Sequence, residues 1–202
     1  MKKSEMTKER ILQAAEQEFS ANGLSGARID TIAEKSAANK RMIYAYFQSK
    51  EGLYKCVLQN VYARISDLEL HVLAKDGERA AAICEIIGRY FAFLQENPTF
   101  VNLVMWENLN CGQYIEASDA AKTKEPSLAA VRKLLLDGMR TGEFRSDIDV
   151  EQALVSLNMF CFSSFSNRFT MTKVFRLQVE ERAFEQTRKE HICEMFMRYL
   201  QK

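Results

Sequence analysis

Apolar residues recur along this chain in steps of three and four, the period of a helix with one buried face. Between Thr7 and Ala21, the residues Ile11, Leu12, Ala15 and Phe19 fall on one side, and Asn22-Gly23 supplies a left-handed stop. Ile29, Ile32 and Ala33 give a short second helix with one apolar face. Ser36-Ala37-Ala38-Asn39 is a tight connector, and Asn39 is a good N-cap for a third helix whose inner face is Met42, Ile43 and Phe47. These three pieces predict a small core of Ile11, Ala15, Phe19, Ile32, Ile43 and Phe47. Ser49 then caps a long helix from Lys50 to about Ala74, ended by Asp76-Gly77. At ~1.5 Å per residue it is about 37 Å long, enough to run from a head into a separate body.

The rest of the chain keeps the same rhythm. Ala80, Cys84, Ile87, Phe91 and Leu94 mark a fifth helix, and Asn97-Pro98 closes it and opens a sixth that stops near Gly112. From Gln113 to Pro126 the residues turn small and polar, which predicts a broken helix or connection. Ser127 to Arg140 is helical again, with Gly142 as its C′ residue. Asp149, with Gln152 three residues on, caps an eighth helix that runs to about Arg168. Leu154, Leu157, Met159, Phe160, Cys161, Phe162 and Phe165 make it apolar nearly all round, so it must be buried on more than one side. A loop from Phe169 to Val179 precedes a last helix that carries two apolar stripes, Ile192-Met195-Phe196-Tyr199 and Cys193-Met197-Leu200. One stripe serves the chain's own core and the other needs a second surface. A homodimer through the last two long helices meets that need, with Leu157, Phe160, Cys161, Cys193, Met197 and Leu200 at its interface. The expected fold is all-α, about nine helices, with a head over 1–55 and a helical body over 56–202.

Composition narrows the class. Eight Gly and two Pro in 202 residues leave little punctuation for hairpins. The formal charge is +1, but residues 1–55 hold ten Lys/Arg against seven Asp/Glu, while 56–202 hold 18 against 20. The positive excess is mild and sits in the head. Five scattered cysteines without a C-x-x-C pair argue against a disulfide framework or a zinc site and predict reduced thiols, a redox-sensing one being the other reading. Lys2-Lys3 is followed by polar Ser4-Glu5 rather than a signal peptide, and no apolar run reaches the ~18–20 residues of a membrane span. A cytoplasmic protein is expected.

The chemistry concentrates between Arg28 and Phe47. Two short helices joined by a small-residue turn, with Lys40, Arg41 and Tyr44 near the free end of the second, form the pattern of a helix-turn-helix that enters a major groove. Lys40 and Arg41 can donate to guanine O6 and N7; Met42 and the Tyr44 ring can pack on a thymine methyl. The plainer reading makes Lys40 and Arg41 solvated surface charges.

ILQAAEQEFSANGLSGARIDTIAEKSAANKRMIYAYFQSKEGLYKCVL resembles the N-terminal DNA-binding domain of TetR-family transcriptional regulators over roughly residues 7–60. Ile32-Ala33, the run K-x-x-[IL]-Y-x-[YH]-F from Lys40 to Phe47, and Ser49-Lys50-Glu51 carry the resemblance. Two positions depart from the family pattern. Arg28 stands where Thr or Ser is usual, and Ala37-Ala38 replaces Gly-Val in the turn. The resemblance implies phosphate contacts by Tyr46 and Lys50, with Thr31 and Arg28 beside them, and Asn39 within the DNA-reading motif. It also implies a palindromic DNA operator, a homodimer, and repression relieved by a small-molecule effector in the body. Phe100, Trp106, Asn108, Tyr114, Phe162 and Phe165 combine aromatic area with polar groups and are candidates for that pocket, against the alternative of ordinary core. The WENL segment resembles the subgroup that includes the pyrimidine-catabolism regulator. Effector and DNA would select different conformations, transmitted by the long fourth helix. No cofactor or metal is implied.

Two other classes stand beside this one. An all-helical enzyme would draw on Glu107 with His191, or on Cys193 beside His191, but no nucleophile elbow, phosphate loop or metal-ligand spacing accompanies them. A ligand-independent architectural DNA-binding dimer would show a specific palindrome and no relief by metabolites.

Overall fold

The computed structural model describes residues 3–75, 77–179 and 182–201; Asp76, part of the expected end of the long helix, lies outside them. The helices are α1 (Lys3–Gly26), α2 (Ile29–Ser36), α3 (Lys40–Phe47), α4 (Lys50–Leu73), α5 (Arg79–Glu96), α6 (Pro98–Leu109), α7 (Gln113–Glu116), α8 (Ala120–Thr141), α9 (Val150–Ser166), α10 (Arg168–Lys173) and α11 (Arg182–Leu200). Among the described residues the fold is all-α, with eleven helices rather than about nine, and no helix is long and apolar enough to cross a membrane. The chain forms two compact units. One holds residues through Arg64 together with Thr99–Lys124; the other holds Ile65–Pro98 and Glu125 onward.

In the first unit the expected core is in place. Ile11, Ala15, Phe19, Ile32 and Ile43 are fully buried and Phe47 nearly so, joined by Leu53, Tyr54, Val57 and Leu58 from α4. Each such Ile, Leu, Val or Phe side chain contributes about 1.5–3 kcal/mol of burial. The predicted stop at Gly23 is a break within α1 rather than its end: Gly23 takes φ 64° and ψ 178°, and the helix resumes to Gly26. A Cβ there would stand 3.1 Å from the Trp106 ring, so both conformation and packing call for glycine. Trp106 Nε1 donates to the Ser20 carbonyl at 3.2 Å, and Glu16 accepts from Arg64 of α4 and from Thr99 of α6. The α6 helix is thus tied to α1 at both ends.

The segment Gln113–Pro126, expected as a broken helix or connection, is a broken helix: the short α7, a break and the opening of α8. Glu107, fully buried, turns Oε2 to the N–H groups of Tyr114 and Ile115 at 3.1 and 2.9 Å, which caps the short α7 from a distance in sequence that no local pattern reveals. Burial and then the Glu107 carboxylate push the Tyr62 hydroxyl up to about 12 and raise that of Tyr54 as well. The α8 helix carries Pro126 inside it on an exposed face, giving up one backbone hydrogen bond.

In the second unit α5 buries Ile83, Ile86, Ile87, Tyr90, Phe91, Phe93 and Leu94 against Leu157 and Cys161 of α9 and Ile192, Phe196 and Leu200 of α11. Asn158 donates to the Tyr90 hydroxyl at 3.1 Å, and the Phe91 and Phe165 rings meet edge to face at 4.8 Å. Asp149 caps α9 as predicted, accepting from the N–H groups of Glu151 and Gln152. The expected loop after Arg168 opens as α10, closed by bonds such as Met171 N–H to the Asn167 carbonyl at 2.9 Å. The expectation of five reduced cysteines is corrected here. Cys84 of α5 and Cys193 of α11 are joined by a disulfide, because helix packing brings their Cα atoms to 5.5 Å across a sequence separation of 109.

Candidate nucleic-acid interface

The turn between α2 and α3 works without glycine because Ala37 itself takes the left-handed conformation, φ 50° and ψ 37°. Its neighbour Ala38 closes the turn with an N–H bond to the Ala33 carbonyl at 3.1 Å. Left-handed backbone costs an alanine roughly 1–2 kcal/mol, a sum the surrounding core outweighs. Asn39 then starts α3. Its Oδ1 accepts from Met42 N–H at 2.8 Å, so this side chain is spent on the backbone as a cap.

Beyond the cap, α3 sorts its residues by face. Ile43 and Phe47 are buried, Met42 and Tyr46 half-buried, and Lys40, Arg41 and Tyr44 exposed. Lys40 forms an ion pair with Asp30 of α2, both more than half exposed. Such a pair contributes about 0–1 kcal/mol, less than the ~1–3 kcal/mol of a good base contact, so DNA can displace it. Arg28 occupies the N-cap position of α2 without a side-chain cap bond. Its backbone N–H instead donates to Glu18 Oε1 at 3.3 Å, and the Arg28 side chain is exposed. Thr31 is half-buried in the first turn of α2. Tyr46 shares a 3.0 Å hydrogen bond with Ser4, and Lys50 Nζ reaches the Ser25 carbonyl at 3.4 Å.

Three positions that fix this geometry were not singled out from sequence. Glu18, buried in α1, accepts from Asn22, Arg28 N–H and Lys35, and so pins the start of α2 to α1. Gln48 bends the chain between α3 and α4 with φ 67° and ψ −48°, and Ser49 N–H closes a γ-turn onto the Phe47 carbonyl at 2.8 Å. Gly52 follows, donating its N–H to Ser49 Oγ at 2.9 Å; a Cβ there would lie 2.1 Å from the Phe47 carbonyl oxygen. The only advance signal was Ser49 as a cap. At the same helix start Glu51 is held below the usual carboxylate range, chiefly by its own backbone N–H and by the Ser49 hydroxyl.

The other candidate residues are distributed between the units. Phe100, Trp106, Asn108 and Tyr114 belong to the first, Phe162 and Phe165 to the second. Phe100 packs on the Tyr62 ring, Tyr114 on the Tyr54 ring, and Asn108 donates to Val104 of its own helix from an exposed position. Of the residues expected at a dimer interface, Leu157, Cys161 and Leu200 are buried in their own unit, Cys193 is disulfide-bonded within it, and Phe160 and Met197 are half-buried. The reason is helical phase: Ala153, Leu157 and Cys161 face inward together, which leaves Val155 and Met159 turned out, 54% and 49% exposed. Phe169, Val174, Phe175 and Leu177, just beyond α9, are exposed too.

Known proteins place this arrangement. The profile of bacterial regulatory proteins of the tetR family matches residues 11–57, and that of the tetracyclin repressor-like C-terminal domain matches residues 80–196. The chain is 28% identical over 180 residues to the HTH-type transcriptional repressor NicS of Pseudomonas putida, spanning 89% of this chain and 85% of that one. It is 32% identical over 155 residues to the HTH-type transcriptional repressor SCO4008 of Streptomyces coelicolor, covering 76% and 75% of the two chains. Its fold matches the transcriptional regulator FadR of Bacillus subtilis, solved in complex with stearoyl-CoA, with a TM-score of 0.74 at 17% identity over 95% of this chain and 98% of that one. The chain is a helix-turn-helix transcriptional regulator. It belongs to the TetR family.

Proposed function

We propose that this chain is a homodimeric repressor that binds a palindromic operator and is released from it by a small-molecule effector. Residues 1–55 form the DNA-reading head, and 56–202 the effector-binding and dimerisation body. The observation that carries the reading is the face of α3: Lys40, Arg41 and Tyr44 stand exposed beside half-buried Met42, while Ile43 and Phe47 anchor the helix from behind. Lys40, Arg41, Met42 and Tyr44 read base edges; Arg28, Thr31, Tyr46 and Lys50 hold phosphates and set the register. Two heads, one per protomer, meet successive major grooves, and the exposed Val155 and Met159 supply apolar surface for pairing along α9. The bound stearoyl-CoA of Bacillus subtilis FadR supports an effector in the body, whose binding and DNA binding weaken each other by one shared coupling energy. The α4 helix carries that change, and the Trp106–Ser20 and Thr99–Glu16 bonds let α6 carry it as well.

Such a protein acts in the cytoplasm and works by binding alone. Neither catalytic pair imagined from the sequence is supported, since Cys193 is bonded to Cys84 and Glu107 Oε2 is occupied by two backbone N–H groups. Footprinting on the DNA upstream of the chain's own gene and its neighbours tests the role. One protected palindrome, with Lys40→Ala or Arg41→Ala weakening binding to it by ~1–3 kcal/mol in a folded variant, is the expected result. Uniform binding to all duplexes contradicts it. So does operator affinity that no metabolite of the regulated genes lowers.

A further inference from the structure

Cys84 sits within α5 and Cys193 within α11, and the bond between them staples the packed helices of the second unit. Both residues are half-buried, whereas Cys161 is fully buried, with burial pushing its thiol up to about 12. Lys189 lies one turn before Cys193, and Gly88 one turn after Cys84. A Cβ on Gly88 would meet Lys189 Cδ at 3.8 Å, so this cationic side chain crosses the α5–α11 seam one turn from each sulfur. Positive charge beside a thiol favours the thiolate. The acids next to Cys84 and Cys193 in sequence are already engaged, Glu85 by Lys75 and Arg89 and Glu194 by Arg198.

We propose that Cys84 and Cys193 form a reversible thiol pair, oxidised by hydroperoxides, that sets how firmly α11 is held to α5. The inference rests in part on the proposed DNA-binding role, because a regulator of cytoplasmic DNA works where structural disulfides do not persist and where such bonds are transient or redox-sensing. One thiolate attacks the peroxide O–O bond and becomes a sulfenic acid while the alcohol or water leaves. The second thiol then attacks that sulfur, the S–S bond forms, and water leaves. Two thiols are oxidised and one peroxide is reduced. A cellular dithiol reverses the change by exchange through a mixed disulfide.

The test uses the full chain, reduced with dithiothreitol, freed of it, and treated with one equivalent of hydrogen peroxide. Alkylation after denaturation should count five free thiols before treatment and three after, with Cys84 and Cys193 linked in the peptide map and five restored by reductant. The oxidised form should melt higher by roughly 5–10 °C, since the bond closes a long loop. Its affinity for the footprinted operator should differ at least threefold from that of the reduced form. Cys84→Ser and Cys193→Ser should each abolish all three changes, whereas Cys111→Ser should retain them. Five thiols after peroxide, or a link between other cysteines, overturns the proposal. Equal operator affinity in the two forms overturns its regulatory part. Thiol counts and melting need no DNA, so a chain that binds no operator in either form contradicts the repressor reading while the switch is still judged separately.

Discussion

The head and the α5–α9–α11 cluster are both built from packed helices, yet they close differently. In the head, the residues with helical phase toward one another meet, Ile11, Phe19, Ile32, Ile43 and Phe47 are all buried, and the exposed face of α3 is left to charge and a tyrosine. In the second unit, α9 fills its core with Ala153, Leu157 and Cys161 and still turns Val155 and Met159 outward. A helix that is apolar on two sides has more to bury than one chain covers. The comparison teaches a division of labour: the head buries its apolar faces within one chain and offers polar chemistry outward, while the body leaves a second apolar side of α9 exposed at Val155 and Met159.

That contrast can be broken from either side. The largest effect is expected at Gly52, where any Cβ would strike the Phe47 carbonyl oxygen at 2.1 Å. Gly52→Ala should cost about 2–4 kcal/mol in urea unfolding and disable operator binding, because the α3–α4 junction must move. An unchanged unfolding midpoint would show that the head is less tightly built than described. On the body, Val155→Asp combined with Met159→Glu should weaken self-association by about 3 kcal/mol or more while leaving the helical circular-dichroism signal intact. Sedimentation that still gives the dimer mass would move the interface elsewhere. Asn39→Ala should remove the α3 cap at ~1 kcal/mol, read as a lower melting temperature. The smallest effect sharpens the comparison in the other direction: Ala37→Gly should stabilise the head by about 0.5–1 kcal/mol, since glycine takes φ 50° without strain.

Much of the head was legible in the sequence because its signals are local. Helical spacing marked the core of the head, Asn39 marked the cap of α3, and the Lys40–Phe47 run marked α3 itself. Glu18 escaped because an acid in a charged, exposed-looking stretch of α1 gives no sign that three donors converge on it. The cap of α7 escaped for a related reason: it is Glu107, on the preceding helix. On α9 the pattern showed that two sides would be apolar but not which one faced inward: Leu157 and Cys161, expected at an interface, are buried in their own unit, and Val155 and Met159 are turned out. The Cys84–Cys193 bond joins residues 109 apart, a pairing that only packing determines.

The central claim is that α3 is held by the core behind it so that its exposed end reads base edges. Fluorescence anisotropy on the footprinted palindrome and on a scrambled duplex of the same length tests it most directly, comparing the wild-type chain with the Lys40→Ala, Arg41→Ala double variant. The wild type should prefer the palindrome by ~10³-fold or more, and the variant should lose most of that preference while keeping its weak grip on the scrambled duplex. A double variant that discriminates between the two duplexes as well as the wild type would place sequence reading elsewhere in the molecule.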